Sequence, residues 1–460
     1  MTAHPKREAL EQFLGGGLSK EEADRIADHL QTEQCMPCLF LAREFMAETE
    51  QEVMESLRRF THPEYPEEER DEGFETAMLL ADRRGSVIEA ERRHAPELLA
   101  ELERRAPAAA RDAIRTVQRY QLFGLSEHLI DASRELAFRN VAQAIEVAEL
   151  AVEVADTLDP RIYMPVTTAD QRALARACLG NARRVASDLF AAERAFQDSL
   201  LIVKEGNLSS TVRADIRSLL GSLRIDQGRY QEARQVLGQA LKTYQIFQSK
   251  RDEAKILVKL ADAEGYSGRP EKGVEILVGA LRALEEVAED RLHLQAQHNL
   301  IDWMVDAGQA LEALTGYEKA RDLYDRHSTE PSLRLRRRWL EGRIYAALGD
   351  QDLALDALEE VRRTAAEREL SYELAMVSLE LALVYLARGE SGRVQDLAEE
   401  MTVIFRSHEL HRHALGAMYL FRQAARTDTA TAGLLREILH YLRRARNNPF
   451  LRFDPAARWG

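Results

Sequence analysis

A phrase of 21 residues that returns along the chain is the feature that most restricts the fold. It begins at positions 179, 220, 260, 300, 341 and 381, so successive copies lie 40 or 41 residues apart. The first three copies, which align without gaps, read LGNARRVASDLFAAERAFQDS, LGSLRIDQGRYQEARQVLGQA and LADAEGYSGRPEKGVEILVGA. A fixed period of about 20–50 residues is typical of repeat proteins, in which each unit buries its apolar face against its neighbours. The sequence therefore predicts a stack of similar units.

Each copy has the pattern of two helices joined by a tight turn. The turn is marked by Ser187 in the first copy and by glycine in the others: Gly228, Gly268, Gly308, Gly349 and Gly389. Five residues after the turn, the first five copies have a small residue: Ala192, Ala233, Gly273, Ala313 and Ala354. A side chain longer than a methyl group would push the paired helices apart. We therefore expect the two helices of a copy to approach closely there.

The composition favours an all-helical protein and limits its partners. Hydrophobic residues make up 45% of the 460 residues and charged residues 30%, with many of the strong helix formers Ala, Leu, Glu and Arg. The net charge of −14 weighs against broad binding of nucleic acid or anionic membranes, because such surfaces need excess Lys and Arg. A cytoplasmic protein without a membrane span is predicted, because the chain has only three cysteines, no signal-peptide pattern and no apolar run of about 18 residues.

The copies resemble the tetratricopeptide repeat (TPR). The resemblance covers about residues 170–405, and its family positions are filled by Leu179-Gly180, Leu220-Gly221, Phe196, Tyr317, Tyr345 and Tyr385. The copies are longer than the family's usual length of about 34 residues, Glu341 replaces a leucine, and the proline that usually ends the second helix is missing. The resemblance implies an all-α fold, a TPR-like α-solenoid in which hairpins of about 40 residues form a right-handed superhelix.

In such arrays the first helix of each hairpin lines a concave groove that holds a partner polypeptide. Carried over by position, the groove residues are Asn181, Arg184, Asp215, Ser222, Lys255, Asp262, Gln295, His298, Asp302, Arg336, Trp339 and Arg343. The same positions of the last copy are apolar, and we expect them to pack against a capping element: Met376, Leu379, Leu383 and Leu386.

The stripe formed by Arg336, Trp339 and Arg343 could offer a guanidinium fork and an aromatic platform to a carboxylate or a peptide. A solvated helix face is the alternative. The basic runs RLRRRW and YLRRAR favour a nucleic-acid contact only weakly in an acidic chain. His298 and Asp302 lie four apart, but without a third ligand or a nucleophile they favour a solvated pair over a catalytic or metal site. With no phosphate-binding loop, nucleophile elbow or HExxH motif, no enzymatic activity is predicted.

A second pattern lies near the N terminus, in HLQTEQCMPC. His29, Cys35 and Cys38 are ligands that suit Zn²⁺, and His4 is available as a fourth donor ahead of the first helix. Two alternatives stay open, a helical head without metal and a redox pair. The redox reading is disfavoured because such C-x-x-C motifs follow a β-strand, and no strand pattern precedes this one. The remaining cysteine, Cys178, is expected to be a small core residue.

The first 45 residues or so are similar to the zinc-binding anti-sigma domain. The family pattern is a Cys or His, a helix, G-x-L-S-x-E-E, a second helix ending in H-L, and C-x-x-C. The matching segment here is HPKREALEQFLGGGLSKEEADRIADHLQTEQCMPC, with five residues between the second histidine and the first cysteine where the family usually has three. The resemblance implies zinc bound by His4, His29, Cys35 and Cys38, and control of a sigma factor and hence of bacterial transcription.

These patterns together divide the chain into five parts. They are a zinc-finger-like helical domain (1–60), a proline- and acid-rich linker (61–73), a helical connecting region (74–135), the solenoid (136–445) and a tail (447–460). Within the solenoid, residues 136–156 form a degenerate first unit and residues of about 430–446 a capping helix. We expect a non-enzymatic scaffold that binds a protein or peptide in its groove and controls a sigma factor through its head. Two alternatives stay open, a chaperone-like adaptor with a structural head and a sensor of a peptide or metabolite.

Overall fold

A computed structural model of the chain describes residues 4–32, 35–137, 139–205, 209–407, 412–445, 448 and 451–453. Within these ranges the regular structure consists of 24 α-helices and one short 3-10 helix, without a β-strand. The predicted all-α, TPR-like α-solenoid class is therefore confirmed. The chain divides into two compact units, residues 1–219 and residues 220–460. Among the described helices, none combines the length and the apolarity that crossing a lipid bilayer requires.

Unit 1 contains the head and the first part of the repeat region. Its helices are α1 (Arg7–Leu14), α2 (Lys20–Thr32), α3 (Met36–Glu48), α4 (Glu50–Thr61), α5 (Glu67–Glu103), α6 (Pro107–Thr116), α7 (Phe123–Leu136), α8 (Val141–Thr157), α9 (Pro160–Tyr163), α10 (Pro165–Val185) and α11 (Leu189–Glu205), with a 3-10 turn at Gln118–Tyr120. Helix α12 (Ser210–Asp226) crosses the boundary between the units. The expected degenerate unit at 136–156 corresponds to α8, and α7 supplies its preceding helix.

The head does not form a core of its own. Its apolar side chains share one buried cluster with residues of α5, α7 and α9, including Leu39, Phe45, Val87, Ala90, Phe123 and Tyr163. A buried ion pair also joins α3 to α5, because Arg43 lies 3.3 Å from Glu91, which accepts a hydrogen bond of 2.7 Å from Tyr163. Burial raises the pKa of Glu91, and Arg43 opposes this effect. The boundary expected at residue 60 is therefore wrong, since the head is one part of unit 1.

The linker expected over 61–73 is also largely helical. Helix α4 ends at Thr61, and α5 begins at Glu67 and runs for 37 residues. Its first turn carries Glu67, Glu68 and Glu69, and carboxylates there are stabilised by the positive end of the helix dipole. The acidic run that resembled a linker is thus the start of a helix, and only residues 62–66 interrupt the helical chain.

Unit 2 contains the remaining hairpins. Its helices are α13 (Tyr230–Ile246), α14 (Lys250–Tyr266), α15 (Pro270–Leu284), α16 (Asp290–Asp306), α17 (Ala310–Lys319), α18 (Arg321–Arg326), α19 (Pro331–Leu348), α20 (Gln351–Glu367), α21 (Ser371–Ala387), α22 (Ser391–Ser407), α23 (Arg412–Arg426) and α24 (Ala432–Ala445). The six copies of the sequence phrase coincide with the pairs α10–α11, α12–α13, α14–α15, α16–α17, α19–α20 and α21–α22. The expected tail at 447–460 lies outside the described residues except for 448 and 451–453.

The turns inside the hairpins have the left-handed backbone that the glycines predict. The φ angles are 74° at Gly228, 86° at Gly268, 75° at Gly308, 82° at Gly349 and 73° at Gly389. Glycine adopts this conformation without the steric cost that a Cβ atom brings. In the first copy Ser187 takes the same conformation with a φ of 61°. Every copy therefore turns in the same way.

The small residues lie where the paired helices meet. The four alanines of this set, Ala192, Ala233, Ala313 and Ala354, have no exposed surface. At the glycine of the set, Gly273, a Cβ atom would lie 3.1 Å from the backbone oxygen of Ala261 on the facing helix. The close approach expected from the sequence is present.

The C-terminal helix α24 packs its apolar face on α21. One buried cluster contains residues of both helices, among them Met376, Leu379, Leu435, Ile438 and Leu442. The apolar groove positions of the last copy are thus covered by the chain itself.

Candidate functional site

The first candidate site brings His4, His29, Cys35 and Cys38 together in unit 1. One donor atom of each residue lies within 4.8 Å of the others. The Nδ1 atom of His4 lies 3.3 Å from the Sγ atom of Cys35 and 3.6 Å from that of Cys38. The rings of His4 and His29 have their centroids 5.5 Å apart. Residues 33 and 34 of the intervening loop lie outside the described part of the chain.

Helix ends position these four side chains. Cys35 is the N-cap residue of α3, and Cys38 lies in its first turn. The positive end of a helix dipole stabilises thiolates, and Pro37 fits in a first turn, where its missing N–H leaves no broken hydrogen bond. His29 comes from the last turn of α2. The local sequence therefore places two thiols at a helix start, facing an imidazole at a helix end.

The donor set fits zinc. Two thiolates and two imidazoles are a ligand set of structural zinc sites, where bonds of about 2.0–2.3 Å place neighbouring donors about 3.3–3.8 Å apart. The observed separations from His4 agree with that range, and small shifts of the other donors would close the tetrahedron. His29 and Cys38 are buried, Cys35 nearly so, and His4 is exposed. The exposed ligand gives an ion a route to the site.

The second candidate site lies in unit 2, among the residues predicted to line a groove, around Arg343 of α19. Its guanidinium forms ion pairs with carboxylates from two other helices, which are Asp302 and Asp306 of α16 and Glu380 of α21. Only 9% of the Arg343 side chain is exposed. Burial and, next, the charge of Arg443 lower its pKa to about 9, which leaves it charged at neutral pH. The expectation of an open guanidinium fork is therefore wrong, because the chain's own carboxylates already occupy it.

Arg443 of α24 completes this arrangement. It lies 3.0 Å from Asp306 and 3.0 Å from Glu380. We call Asp302, Asp306, Glu380, Arg343 and Arg443 the groove charge cluster. Its three carboxylates and two guanidinium groups sum to one negative charge when all are ionised. Burial raises the pKa of Asp306, an effect that Arg443 opposes.

Aromatic residues lie next to the cluster. Trp339 of α19 donates its indole N–H to Glu380, so the expected aromatic platform is tied to the cluster. On α14, Asp262 accepts hydrogen bonds from Trp303 at 3.3 Å and from Asn299 at 3.2 Å. Burial raises the pKa of Asp262 to about 7, and these hydrogen bonds oppose the shift. Asp262 is therefore poised between its two protonation states at neutral pH.

The other groove residues of unit 2 have separate partners. The Nζ atom of Lys255 lies 3.4 Å from Asp252. The Nδ1 atom of His298 lies 2.8 Å from the Tyr324 hydroxyl, and burial lowers the pKa of His298 to about 3. His298 and Asp302 thus act with different neighbours and not as a pair. Arg336 and Gln295 are exposed, and Ser222 is half-buried.

Three expected groove residues belong to unit 1 and are described apart from the cluster. Arg184 donates a hydrogen bond of 3.1 Å to Asn181 on α10. Asp215 is half-buried on the part of α12 that belongs to unit 1.

Sequence reasoning missed Asp306, Glu380 and Arg443, and also Tyr266 of α14, whose ring centroid lies 5.2 Å from that of Trp303. A signal for two of them was present, since Tyr266 and Asp306 each lie four residues after a predicted groove residue, and i, i+4 neighbours share a helix face. Extending the groove positions by one helical turn would have included both. Arg443 lies in the basic run YLRRAR, but no sequence signal pairs it with Asp306, which lies 137 residues away.

No known protein family profile and no curated protein matches the sequence. Solved structures do match the fold. A signal transduction ATPase with numerous domains and a tetratricopeptide repeat sensor, from Pyrococcus horikoshii, is 11% identical with a TM-score of 0.50, covering 97% of this chain and 72% of that one. Aspartyl phosphate phosphatase F from Bacillus subtilis is 11% identical with a TM-score of 0.47, covering 94% and 98%. The apo quorum sensor NprR from B. thuringiensis is 11% identical with a TM-score of 0.45, covering 83% and 98%. These similarities concern the fold alone.

Proposed function

We propose that this chain is a non-enzymatic interaction scaffold that binds a partner polypeptide on the groove side of unit 2. The observation that carries the proposal is the repeated placement of ionisable and aromatic side chains on the first helices of successive hairpins. These residues are Asp262 and Tyr266 on α14, Asp302 and Asp306 on α16, Trp339 and Arg343 on α19, and Glu380 on α21.

Such a surface suits recognition of an extended or helical segment. Charged groups held in fixed positions select a partner by complementarity, and aromatic groups add contact area at little entropic cost. Asp262 and Arg343 are held by a hydrogen bond and an ion pair to neighbouring repeats, so their geometry is pre-organised for binding.

A matched pair of lysines tests the proposal. Lys255 lies on α14 among the groove residues, and Lys272 lies on α15, the second helix of the same hairpin. Each contacts a carboxylate three residues away, Asp252 and Glu275 respectively. The full chain and the variants Lys255→Glu and Lys272→Glu are used to capture partners from the native host, with quantitative mass spectrometry as the readout.

A groove partner is expected to be depleted at least about tenfold by Lys255→Glu, because reversing a charge in a complementary surface costs more than about 1.4 kcal/mol. Lys272→Glu should leave its recovery unchanged. Equal recovery by all three proteins would contradict binding in the groove.

We further propose that the head binds one structural zinc ion through His4, His29, Cys35 and Cys38. When bound, the ion would link the start of α3 to the end of α2 and to the segment before α1. Because the head shares its core with α5, the metal would stabilise unit 1 as a whole. The chemistry of the donor set and its convergence within 4.8 Å support this role.

Control of a sigma factor through the head is a second candidate, which rests on the resemblance of the head segment to the zinc-binding anti-sigma domain. Deleting residues 1–60 cannot test it, since that would open the shared core of unit 1. Capture by the full chain is therefore compared with capture by a Cys35→Ser/Cys38→Ser variant and by Cys178→Ser, which alters a buried cysteine elsewhere. Loss of a sigma factor with the double variant alone would support this role. A partner set without any sigma factor or polymerase component would contradict it.

A further inference from the structure

The C-terminal end of α24 contacts three other helices of unit 2, which are α13, α16 and α21. Arg443 contacts Asp306 on α16 and Glu380 on α21, each at 3.0 Å. The next residue, Arg444, places its guanidinium carbon 5.6 Å from the centre of the Tyr230 ring on α13. Two consecutive arginines thus touch three helices whose contact residues span positions 230 to 380.

These contacts are additional to the role of α24 as a cap. Its apolar face, with Leu435, Ile438 and Leu442, already covers α21 in one buried cluster. Covering an apolar surface needs no guanidinium group. The arginines use other partners, which are two carboxylates and the ring of Tyr230.

The groove groups form a receptor for a guanidinium group. Arg443 reaches Asp306 with Nη1 and Glu380 with Nη2, so each end of its fork meets a different carboxylate. The planar fork of arginine suits such two-point binding, which a lysine ammonium cannot reproduce. Without Arg443, Arg343 would be the remaining guanidinium of the groove charge cluster, and the cluster would carry two excess negative charges. Such a site attracts a cation.

Resting on the groove function proposed above, we propose that Asp306, Glu380 and Tyr230 form an arginine-recognition site, and that Arg443 and Arg444 of α24 are its internal occupants. The partner is a polypeptide segment that presents two neighbouring arginines. It competes with the arginine side chains of α24, while the apolar packing of that helix keeps its backbone in place. The end of α24 therefore raises the partner concentration that is needed for binding and excludes segments without arginine.

The test uses the full chain and a fluorescein-labelled, alanine-rich helical peptide with a central Arg-Arg pair, followed by fluorescence anisotropy. The variant Arg443→Ala/Arg444→Ala should bind this peptide about tenfold more tightly than the wild-type chain. A peptide with Lys-Lys in place of Arg-Arg should bind the variant several-fold more weakly. Arg436→Ala, at an exposed position of the same helix, should behave as the wild-type chain does.

A second set of variants tests the receptor groups. Adding Glu380→Gln to the double variant should abolish the gain, because one of the two carboxylates no longer carries charge. Circular dichroism and thermal unfolding establish that each variant is folded. Should the double alanine variant be unfolded, Arg443→Lys/Arg444→Lys retains the charges without the forks and should still show a gain for the Arg-Arg peptide.

The possible failures can be told apart. Equal peptide affinity of folded wild-type and arginine variants, or a gain that survives Glu380→Gln, would overturn the internal occupancy. If Lys255→Glu still loses a host partner in that case, binding in the groove stands and only the arginine inference fails. If the arginine peptide binds as expected but no host partner depends on Lys255, the recognition site stands and the proposed function fails.

Discussion

The indole of Trp303 donates its Nε1 hydrogen to the carboxylate of Asp262, 3.3 Å away and 41 residues earlier in the chain. This bond connects the first helices of two successive hairpins, between residues one position apart in the repeat. It holds Asp262 in a site where burial raises its pKa to about 7. The same tryptophan ring lies against Gly265, so one side chain both bonds to Asp262 and packs against the backbone of the neighbouring hairpin.

Replacing Asp262 by Asn should make the stability of the chain less dependent on pH between pH 5 and pH 8. The folded-state pKa of about 7 lies above the usual value of about 3.9. The protonated form is therefore favoured by folding, and this stabilisation is lost as the pH rises through 7. We expect the wild-type chain to lose at least about 1 kcal/mol more than Asp262→Asn between these pH values, measured by thermal unfolding. Identical pH slopes would contradict the assignment.

Replacing His298 by Gln should reduce the loss of stability that the chain undergoes at low pH. Burial lowers the pKa of His298 to about 3, below the usual value of about 6.5, so folding favours the neutral ring. The stabilisation is present above pH 6.5 and is lost as the pH falls from there towards 3. The unfolding midpoint of the wild-type chain should drop more between pH 7 and pH 4.5 than that of His298→Gln. His293→Gln, on the same helix, serves as the control and should drop as the wild type does.

Replacing Glu380 by Gln should destabilise unit 2 by about 3 kcal/mol, because it removes the charge from a buried partner of two guanidinium groups and so breaks an ion pair with each of them. The matched control is Glu275→Gln, which affects a largely exposed ion pair with Lys272 and should change stability by less than about 0.5 kcal/mol. Urea unfolding monitored by circular dichroism gives both values. Similar losses for the two variants would argue against a central role of the groove charge cluster.

Adding a methyl group should destabilise the chain at Gly265 and stabilise it at Gly238. A Cβ atom at Gly265 would lie 2.5 Å from the Trp303 ring, and one at Gly238 would have nothing within 4 Å. We expect Gly265→Ala to destabilise by about 1–3 kcal/mol through overpacking, and Gly238→Ala to stabilise by up to about 1 kcal/mol through helix propensity. Thermal unfolding of the two variants side by side decides this. A stabilising Gly265→Ala would mean that the two hairpins are farther apart than described.

The purified chain should contain about one zinc ion per molecule by elemental analysis. Cys35→Ser/Cys38→Ser should lose the metal, and Cys178→Ser should keep it, because Cys178 is buried in a separate cluster of unit 1. Chelation should lower the unfolding midpoint of the wild-type chain but not that of the double variant. A metal-free wild-type chain, or a double variant that retains zinc, would reject the site.

Much of the fold was predictable because the signals are local. Glycine at the turns and small residues five positions later act within about ten residues, and they led to the hairpins that the structure contains. The linker was mispredicted because the signal used for it was local as well. A run of acidic residues does not distinguish a solvated linker from the first turns of a helix until the partner helix is known, and α5 is paired through contacts such as that of Phe74 with Phe60.

The sequence by itself determined the repeating hairpins, the all-α class and the four residues of the His/Cys cluster, since each follows from the spacing of residue types along the chain. Only the tertiary structure decided that the head shares a core with α5, that Arg343 is neutralised within its own unit, and that Arg443 meets Asp306. The physical reason is distance along the chain. Those contacts depend on how each hairpin rotates on the next, and small rotations accumulate over many residues without leaving a pattern in any short window of sequence.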